Sequence, residues 1–294
     1  MEKINALIIF CEGPHDVAFC SLVFKNCFKI EIVKWKFSQY PYPFNQMFPK
    51  IMEDHAINTE SLDMAHDFFL PDKTFYDKLN NLLILLFNTG GEKKTKKNPI
   101  KFLSRLLKFT ILQDEGSFDS ENKESSADKI IDDPKYLFLY DRDDKEPTNK
   151  FETCKKVFSL INNKIFISEN FKINIKNSQG AHSMGKKFNV YVFSKPNCNG
   201  TLEDILIPIF EECKSEIMSK TTIFIDDCFT WDNSKISKKA KRNKAIICTA
   251  GQKEKPGASM NVIINQSNLI SEEVFKKNQD VKLFADFIND IIIN

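Results

Sequence analysis

Two short apolar runs, Ala6–Cys11 and Tyr136–Tyr140, each stop at a carboxylate, Glu12 in the first and Asp141 in the second. A continuous apolar run of this kind reads as a strand buried on both faces, and such strands belong to sheets covered by helices on both sides. The punctuation after each run agrees: Gly13-Pro14 makes a tight turn after the first, and Asp141-Arg142-Asp143-Asp144 closes the second. A carboxylate placed just beyond the carboxyl end of a buried strand stands at the edge where open α/β sheets bind ligands.

Helical periodicity follows each run. From about Asp16 the apolar positions Val17, Cys20, Phe24, Cys27 and Phe28 recur at helical spacing, and Ile30–Phe37 then alternates as a strand, so the chain opens β-α-β. After Asp141 the segment Asn149–Asn162 is helical in pattern, and Lys164–Ser168 and Asn189–Phe193 read as further strands. Gly200 precedes an amphipathic helix with Leu202, Ile205, Leu206, Ile209 and Phe210 on one face. Such alternation predicts a Rossmann-like α/β core with a mainly parallel sheet flanked by helices, formed by residues 1–37 and 135–294. Between them, Pro41, Pro43 and Pro49 break the chain, Asp77–Phe87 and Ile100–Leu112 read as helical, and the basic run Lys93–Lys97 and acidic run Asp114–Asp133 read as solvated loops. Residues 38–134 are therefore expected to form a mainly helical insertion.

Bulk properties narrow the function classes. The chain has 294 residues, 42% hydrophobic and 28% charged, which suits a globular protein with a sizeable core. The net charge of +2 means that attraction to a polyanion must come from local lysine clusters. Arginine occurs only at 105, 142 and 242, which favours phosphate contact over base reading. Eight dispersed cysteines without a CxxC pair argue against a zinc ribbon or a disulfide scaffold. No apolar stretch approaches membrane-spanning length, so a reduced, cytoplasmic setting with no membrane partner is expected.

Taken singly, the acidic motifs are ordinary: Glu12 reads as a turn residue, Asp16 as a helix cap and Asp141-Arg142-Asp143 as an Asp-rich turn. Together they bring Glu12, Asp141 and Asp143 to two neighbouring strand ends. Residues two apart in extended chain project to the same side, about 7 Å apart, so Asp141 and Asp143 can face one ion site. Clustered like charges repel unless a cation lies between them.

The turn Glu12-Gly13-Pro14-His15-Asp16, followed by Asp141-Arg142-Asp143 at a later strand end, resembles the TOPRIM domain of topoisomerases, primases and OLD-family nucleases. The resemblance spans roughly residues 5–37 and 135–215. It implies a Mg²⁺- or Mn²⁺-dependent nuclease acting on DNA or RNA, with Glu12, Asp141 and Asp143 catalytic and metal-binding, and Asp16 with Glu203 or Asp204 completing the shell. Topoisomerase chemistry would need a tyrosine on a separate domain, and a primase more chain than this. Gly200-Thr201-Leu202-Glu203-Asp204 looks like a segment of small OLD-type TOPRIM proteins, although Thr201 and Asp204 also have capping-box spacing.

OLD-type enzymes also imply a late lysine at the scissile phosphate, with Lys244 the candidate here, and a bacterial anti-phage effector governed by a separate ATPase. The sequence leaves the oligomeric state open, a homo-oligomer included. Lys238, Lys239, Lys241, Arg242 and Lys244 would contact a nucleic-acid backbone, or form a solvated cationic helix face. The alternatives carried forward are a non-catalytic TOPRIM-fold module binding nucleic acid or protein, and a phosphatase or nucleotidyl transferase on small nucleotides. Gly180–Lys186 nearly matches a nucleotide-binding GxxxxGK loop. Lys187 stands where Ser or Thr should be, however, and a strand rather than a helix is expected next. His15, His55, His66 and His182 lack zinc-hydrolase spacing, and His15 reads as solvent-facing.

Overall fold

A computed structural model of the chain describes residues 2–58, 69–91, 97–114, 128–142, 172–174, 181–184, 187–193, 200–231 and 236–293. The expected helix Asn149–Asn162 and strand Lys164–Ser168 lie outside the described residues, as do Asp143 and the side chains of His55, His66 and His182.

The first apolar run lies within strand β1, Glu2–Cys11, and the turn at Gly13 launches helix α1, Pro14–Asn26, with proline in its first turn. Helix α2 is Phe44–Asn58 and α3 Lys97–Asp114; strands β2 and β3 are Lys73–Asp77 and Leu82–Asn88. Strand β4, Lys129–Asp141, carries the second apolar run, and β5, β6 and β7 are Lys172–Asn174, Ala181–Met184 and Phe188–Phe193. Five helices close the described chain: α4 Leu202–Cys228, α5 Ile236–Gly251, α6 Met260–Gln266, α7 Glu272–Lys277 and α8 Gln279–Ile293.

The strands form one seven-stranded sheet in the order β2-β3-β1-β4-β7-β6-β5. Its centre, β3-β1-β4-β7, is parallel throughout, while β2 and β6 run antiparallel to their neighbours. The expected α/β core with a mainly parallel sheet is what the chain forms. Alternate residues divide it into two cores. Leu7, Ile9, Cys11, Leu137, Leu139 and Phe193 pack with α1 and α4–α8, whereas Ile8, Phe10, Phe87, Phe138 and Val192 pack with α2 and α3. Burial on both faces is why these strands read as unbroken apolar runs.

Three expectations fail here. Asp77–Phe87 is not helical: Asp77 ends β2, its carboxylate accepts from Leu79 N and Asn80 N in the turn, Asn81 sits at φ 49°, and Leu82–Phe87 form β3. A fully apolar run lacks either period, so length and turn chemistry decide it. The described part of residues 38–134 holds helices α2 and α3 and also supplies β2, β3 and the first part of β4 to the sheet. In the run read as an acidic loop, Lys129–Ile131 pair with Glu2–Ile4, and Pro134 is accommodated by a register shift opposite Ala6. Ile30–Phe37 is not a strand either. Ile32 makes only an isolated bridge to Phe75, and the Gln39 side chain accepts from Lys36 N to start a 3-10 turn, Phe37–Gln39. The last segment of the GxxxxGK resemblance is settled by geometry, since Phe188–Phe193 is a strand.

On the α4–α8 side, packing is tight enough at Gly251 that an added Cβ would lie 2.4 to 2.6 Å from the side-chain carbons of fully buried Ile263. Gly251→Ala is expected to destabilise the fold by about 1–3 kcal/mol through overpacking, read out by denaturant unfolding.

Candidate functional site

The parallel register aligns the carboxyl ends of the central strands: Cys11 lies beside Asn88, and Asp141 beside Phe193. The chain leaves β1 toward β3 and leaves β4 toward β7, in opposite directions across the sheet. The β1/β4 crevice is thus a topological switch point, the place where open α/β sheets bind ligands. Glu12 and Asp141 stand on its two sides.

Glu12 is fixed through its backbone. Its carbonyl accepts from Gly91 N at 2.8 Å, and Thr89 Oγ1 donates to Cys11 O at 2.8 Å. That loop turns at Gly90 and Gly91 with φ of 84° and 88°, a conformation glycine reaches without strain. The Glu12 side chain reaches across the crevice, its Oε2 accepting from Asp141 N at 3.3 Å. Asp141 in turn accepts from Leu202 N at 2.9 Å, so the N-terminus of α4 is drawn to the same point. Asp16, buried in the first turn of α1, accepts from Gly13 N at 2.7 Å.

Glu203 and Asp204 separate cleanly. Glu203 is 1% exposed: its Oε1 lies 3.4 Å from Lys244 Nζ and 3.8 Å from His15 Nδ1, and its Oε2 is buried without a hydrogen-bond partner. Asp204 has both oxygens engaged. Its Oδ2 accepts from Thr201 N at 3.0 Å, while Oδ1 accepts from Asn243 Nδ2 at 3.1 Å and lies 3.3 Å from Lys239 Nζ. Asp204 thereby acts as a cap and a clasp between α4 and α5.

The electrostatics follow from burial. Asp16 is raised to about 7, first by burial and then by the neighbouring Glu12 and Glu203, with Gly13 N–H and Lys244 opposing. Asp141 is held well above the usual carboxylate range by burial and by Asp16, Glu203 and Glu12. Burial disfavours charge on Lys244, but Glu203, Asp141 and Asp16 together raise it. His15 is lowered to about 4 by burial and the Lys244 charge, so its imidazole is neutral at physiological pH.

Among the described residues no group of three His, Cys, Asp or Glu side chains meets at ion-ligand distances. Glu12, Asp16, Asp141 and Glu203 nevertheless share one electrostatic cluster, into which the Lys244 ammonium reaches. Oxygen donors, repulsion and an unpartnered buried carboxylate oxygen are the properties a hard cation would satisfy.

No protein-family model matches this chain. No curated protein matches it either. Among solved structures, a hypothetical protein from Pyrococcus horikoshii OT3 is similar at a TM-score of 0.45 and 9% identity, over 98% of this chain and 95% of that one.

The remaining lysines divide by face. Lys238 and Lys241 are exposed on α5, while Lys239 is tied to Asp204. Arg242, expected at a nucleic-acid backbone, instead forms a bidentate pair with Asp226, both contacts at 2.6 Å, locking α5 to α4. Lys244 alone points into the acidic cluster. His15, read from the sequence as solvent-facing beside the acidic turn, is partly buried against Glu203. Sequence reading missed Asn243 and the Gly90-Gly91 loop; the glycine pair directly after an apolar run was the available signal for the last. No described helix is long and apolar enough to cross a membrane.

Proposed function

We propose that this protein is a metal-dependent nuclease, hydrolysing phosphodiester bonds of DNA or RNA at the β1/β4 crevice. The observation that carries this reading is the convergence of Glu12, Asp16, Asp141 and Glu203 from β1, α1, β4 and α4 around Lys244, with Glu203 Oε2 left without a partner. Glu12, Asp141 and Glu203 would hold Mg²⁺ or Mn²⁺, with Asp16 beside them and Asp143 following in the chain. Such an ion supplies Lewis acidity: it lowers the pKa of water and neutralises phosphate charge.

The chain's own groups do the rest. Lys244 is placed to bind a phosphoryl oxygen, because loss of its contact to Glu203 leaves an ammonium that needs an anion. The neutral His15 can donate one hydrogen bond to a substrate oxygen without adding charge. Exposed Lys238 and Lys241 extend the cationic surface along α5. Similarity to OLD-type TOPRIM proteins extends the proposal to a cytoplasmic, bacterial anti-phage effector under the control of a separate ATPase.

The test incubates purified protein with single- and double-stranded DNA and RNA, with Mg²⁺ or Mn²⁺ and with chelator. Cleavage is expected only with metal, and Glu12→Ala is expected to reduce it by at least about 10²-fold, or ~2.7 kcal/mol of barrier. Cleavage of no polymer, or cleavage indifferent to Glu12→Ala, sinks the nuclease reading. Turnover of mononucleotides alone would assign the site to phosphatase or nucleotidyl-transfer chemistry.

A further inference from the structure

The loop that follows β3, Asn88-Thr89-Gly90-Gly91, is held from three sides. Ahead of β2, the Asp72 carboxylate accepts from Asn88 N at 2.8 Å. In the first turn of α3, Asn98 Nδ2 donates to Thr89 O at 3.3 Å. The third side is the exit of β1, where Thr89 N and Thr89 Oγ1 both donate to Cys11 O, at 2.9 and 2.8 Å, and Gly91 N donates to Glu12 O at 2.8 Å. Within the loop, Asn88 Oδ1 accepts from Gly90 N at 3.0 Å. One residue beyond Glu12, Gly13 N donates to Asp16 at 2.7 Å. The peptide units on both sides of Glu12 are therefore bonded, which fixes the direction in which its side chain leaves the backbone.

The lengths of these bonds rank them. Glu12 Oε2 meets Asp141 N at 3.3 Å, beyond the usual range for an amide donor, whereas the bonds to Cys11 O and Glu12 O are close to ideal. Thr89 is 0% exposed, and a buried hydroxyl at a strand end is often doing no more than finding an acceptor. Here the amide of the same residue already satisfies Cys11 O, so the hydroxyl adds a second bond to that carbonyl, one peptide ahead of Glu12. Gly91 agrees: an added Cβ would meet nothing within 4 Å, so glycine is required there only by the φ of 88° that aims its amide at Glu12 O.

We infer that Thr89 is a positioning residue for Glu12: its hydroxyl, together with the Gly91 amide, aims the Glu12 carboxylate and so sets the affinity of the crevice for a divalent cation. The inference rests on the reading of Glu12 as a metal ligand, and titration calorimetry of the full chain with Mn²⁺ separates the two. Thr89→Val keeps the side-chain shape and leaves Cys11 O its amide bond, so the variant should fold. It should bind Mn²⁺ about 10-fold more weakly, as expected on losing a group that orients a ligand. Gly91→Ala, strained at positive φ, should weaken binding by a similar factor of about 10. Thr89→Ser keeps the hydroxyl and should stay within about threefold of wild type. Phe287→Leu, which trims a buried ring packed on Tyr191, should lower the melting temperature and leave Mn²⁺ affinity unchanged. A wild-type chain that takes up no Mn²⁺ would remove Glu12 as a ligand and this inference with it. Wild-type uptake matched by Thr89→Val or Gly91→Ala, or weakened as much by Thr89→Ser or Phe287→Leu, would overturn the role of Thr89 and leave Glu12 a ligand.

Discussion

Asp16→Asn should make the metal-free protein more stable at pH 8 while weakening metal-dependent cleavage. The asparagine keeps the shape of the side chain and can still accept the Gly13 N–H bond, now 2.7 Å, so the first turn of α1 remains capped. What it removes is a buried negative charge among Glu12, Glu203 and Asp141. The sign follows from linkage: Asp16 is raised from 3.8 to about 7 in the folded chain, so the native state binds more protons than the unfolded one between those values. Its stabilising contribution is complete below about pH 4 and is lost as pH rises through about 7. The raised Asp141 acts in the same direction. Wild-type metal-free protein should therefore melt lower at pH 8 than at pH 5.5, and Asp16→Asn should flatten that slope. The gain at pH 8 is expected at about 1–3 kcal/mol, a few degrees in melting temperature. A variant melting at or below wild type at pH 8 would show that the cluster is not strained by its own charge.

The fold was legible wherever one local signal dominated. Ala6–Cys11 and Tyr136–Tyr140 announce buried strands, Gly13-Pro14 announces the start of α1, and the spacing of Leu202 to Phe210 announces the first half of α4. It was illegible where signals degenerate. Leu82–Phe87 is apolar at every position, so neither period shows, and only its pairing with both β1 and β2 makes it a strand. Ile30–Phe37 alternates as a strand should but finds only one bridge, because pairing is a property of the neighbour as much as of the segment. The site divides in the same way. Glu12, Asp16 and Asp141 are visible as punctuation after strands. Their company with Glu203 and Lys244 is a long-range fact: Leu202 N donates to Asp141 across 61 residues, and no local pattern records that.

The adjacent carboxylates of α4 provide the sharpest separation of chemistry from architecture. Glu203→Gln should cut cleavage by at least about 10²-fold, ~2.7 kcal/mol, while leaving stability within about 1 kcal/mol of wild type. Glutamine can still accept from Lys244 through Oε1, and Asp16 and Asp141 remain to balance that ammonium. The lost charge takes with it a buried carboxylate oxygen, Oε2, that has no hydrogen-bond partner. Metal-induced stabilisation should shrink accordingly, since tenfold weaker binding removes about 1.4 kcal/mol of linkage. Asp204→Ala should do the reverse. It strips the acceptor from Thr201 N and leaves the buried Asn243 amide unpaired, for a combined loss of about 2–4 kcal/mol. The Lys239 contact adds little to that loss because the lysine side chain is 45% exposed. Cleavage by the folded fraction of Asp204→Ala should stay within about threefold of wild type, because neither Asp204 oxygen is free to meet an ion or a substrate. Cleavage and unfolding measured on the two variants side by side decide the matter: if Asp204→Ala abolishes cleavage in folded protein while Glu203→Gln leaves it intact, the wrong carboxylate has been placed in the site.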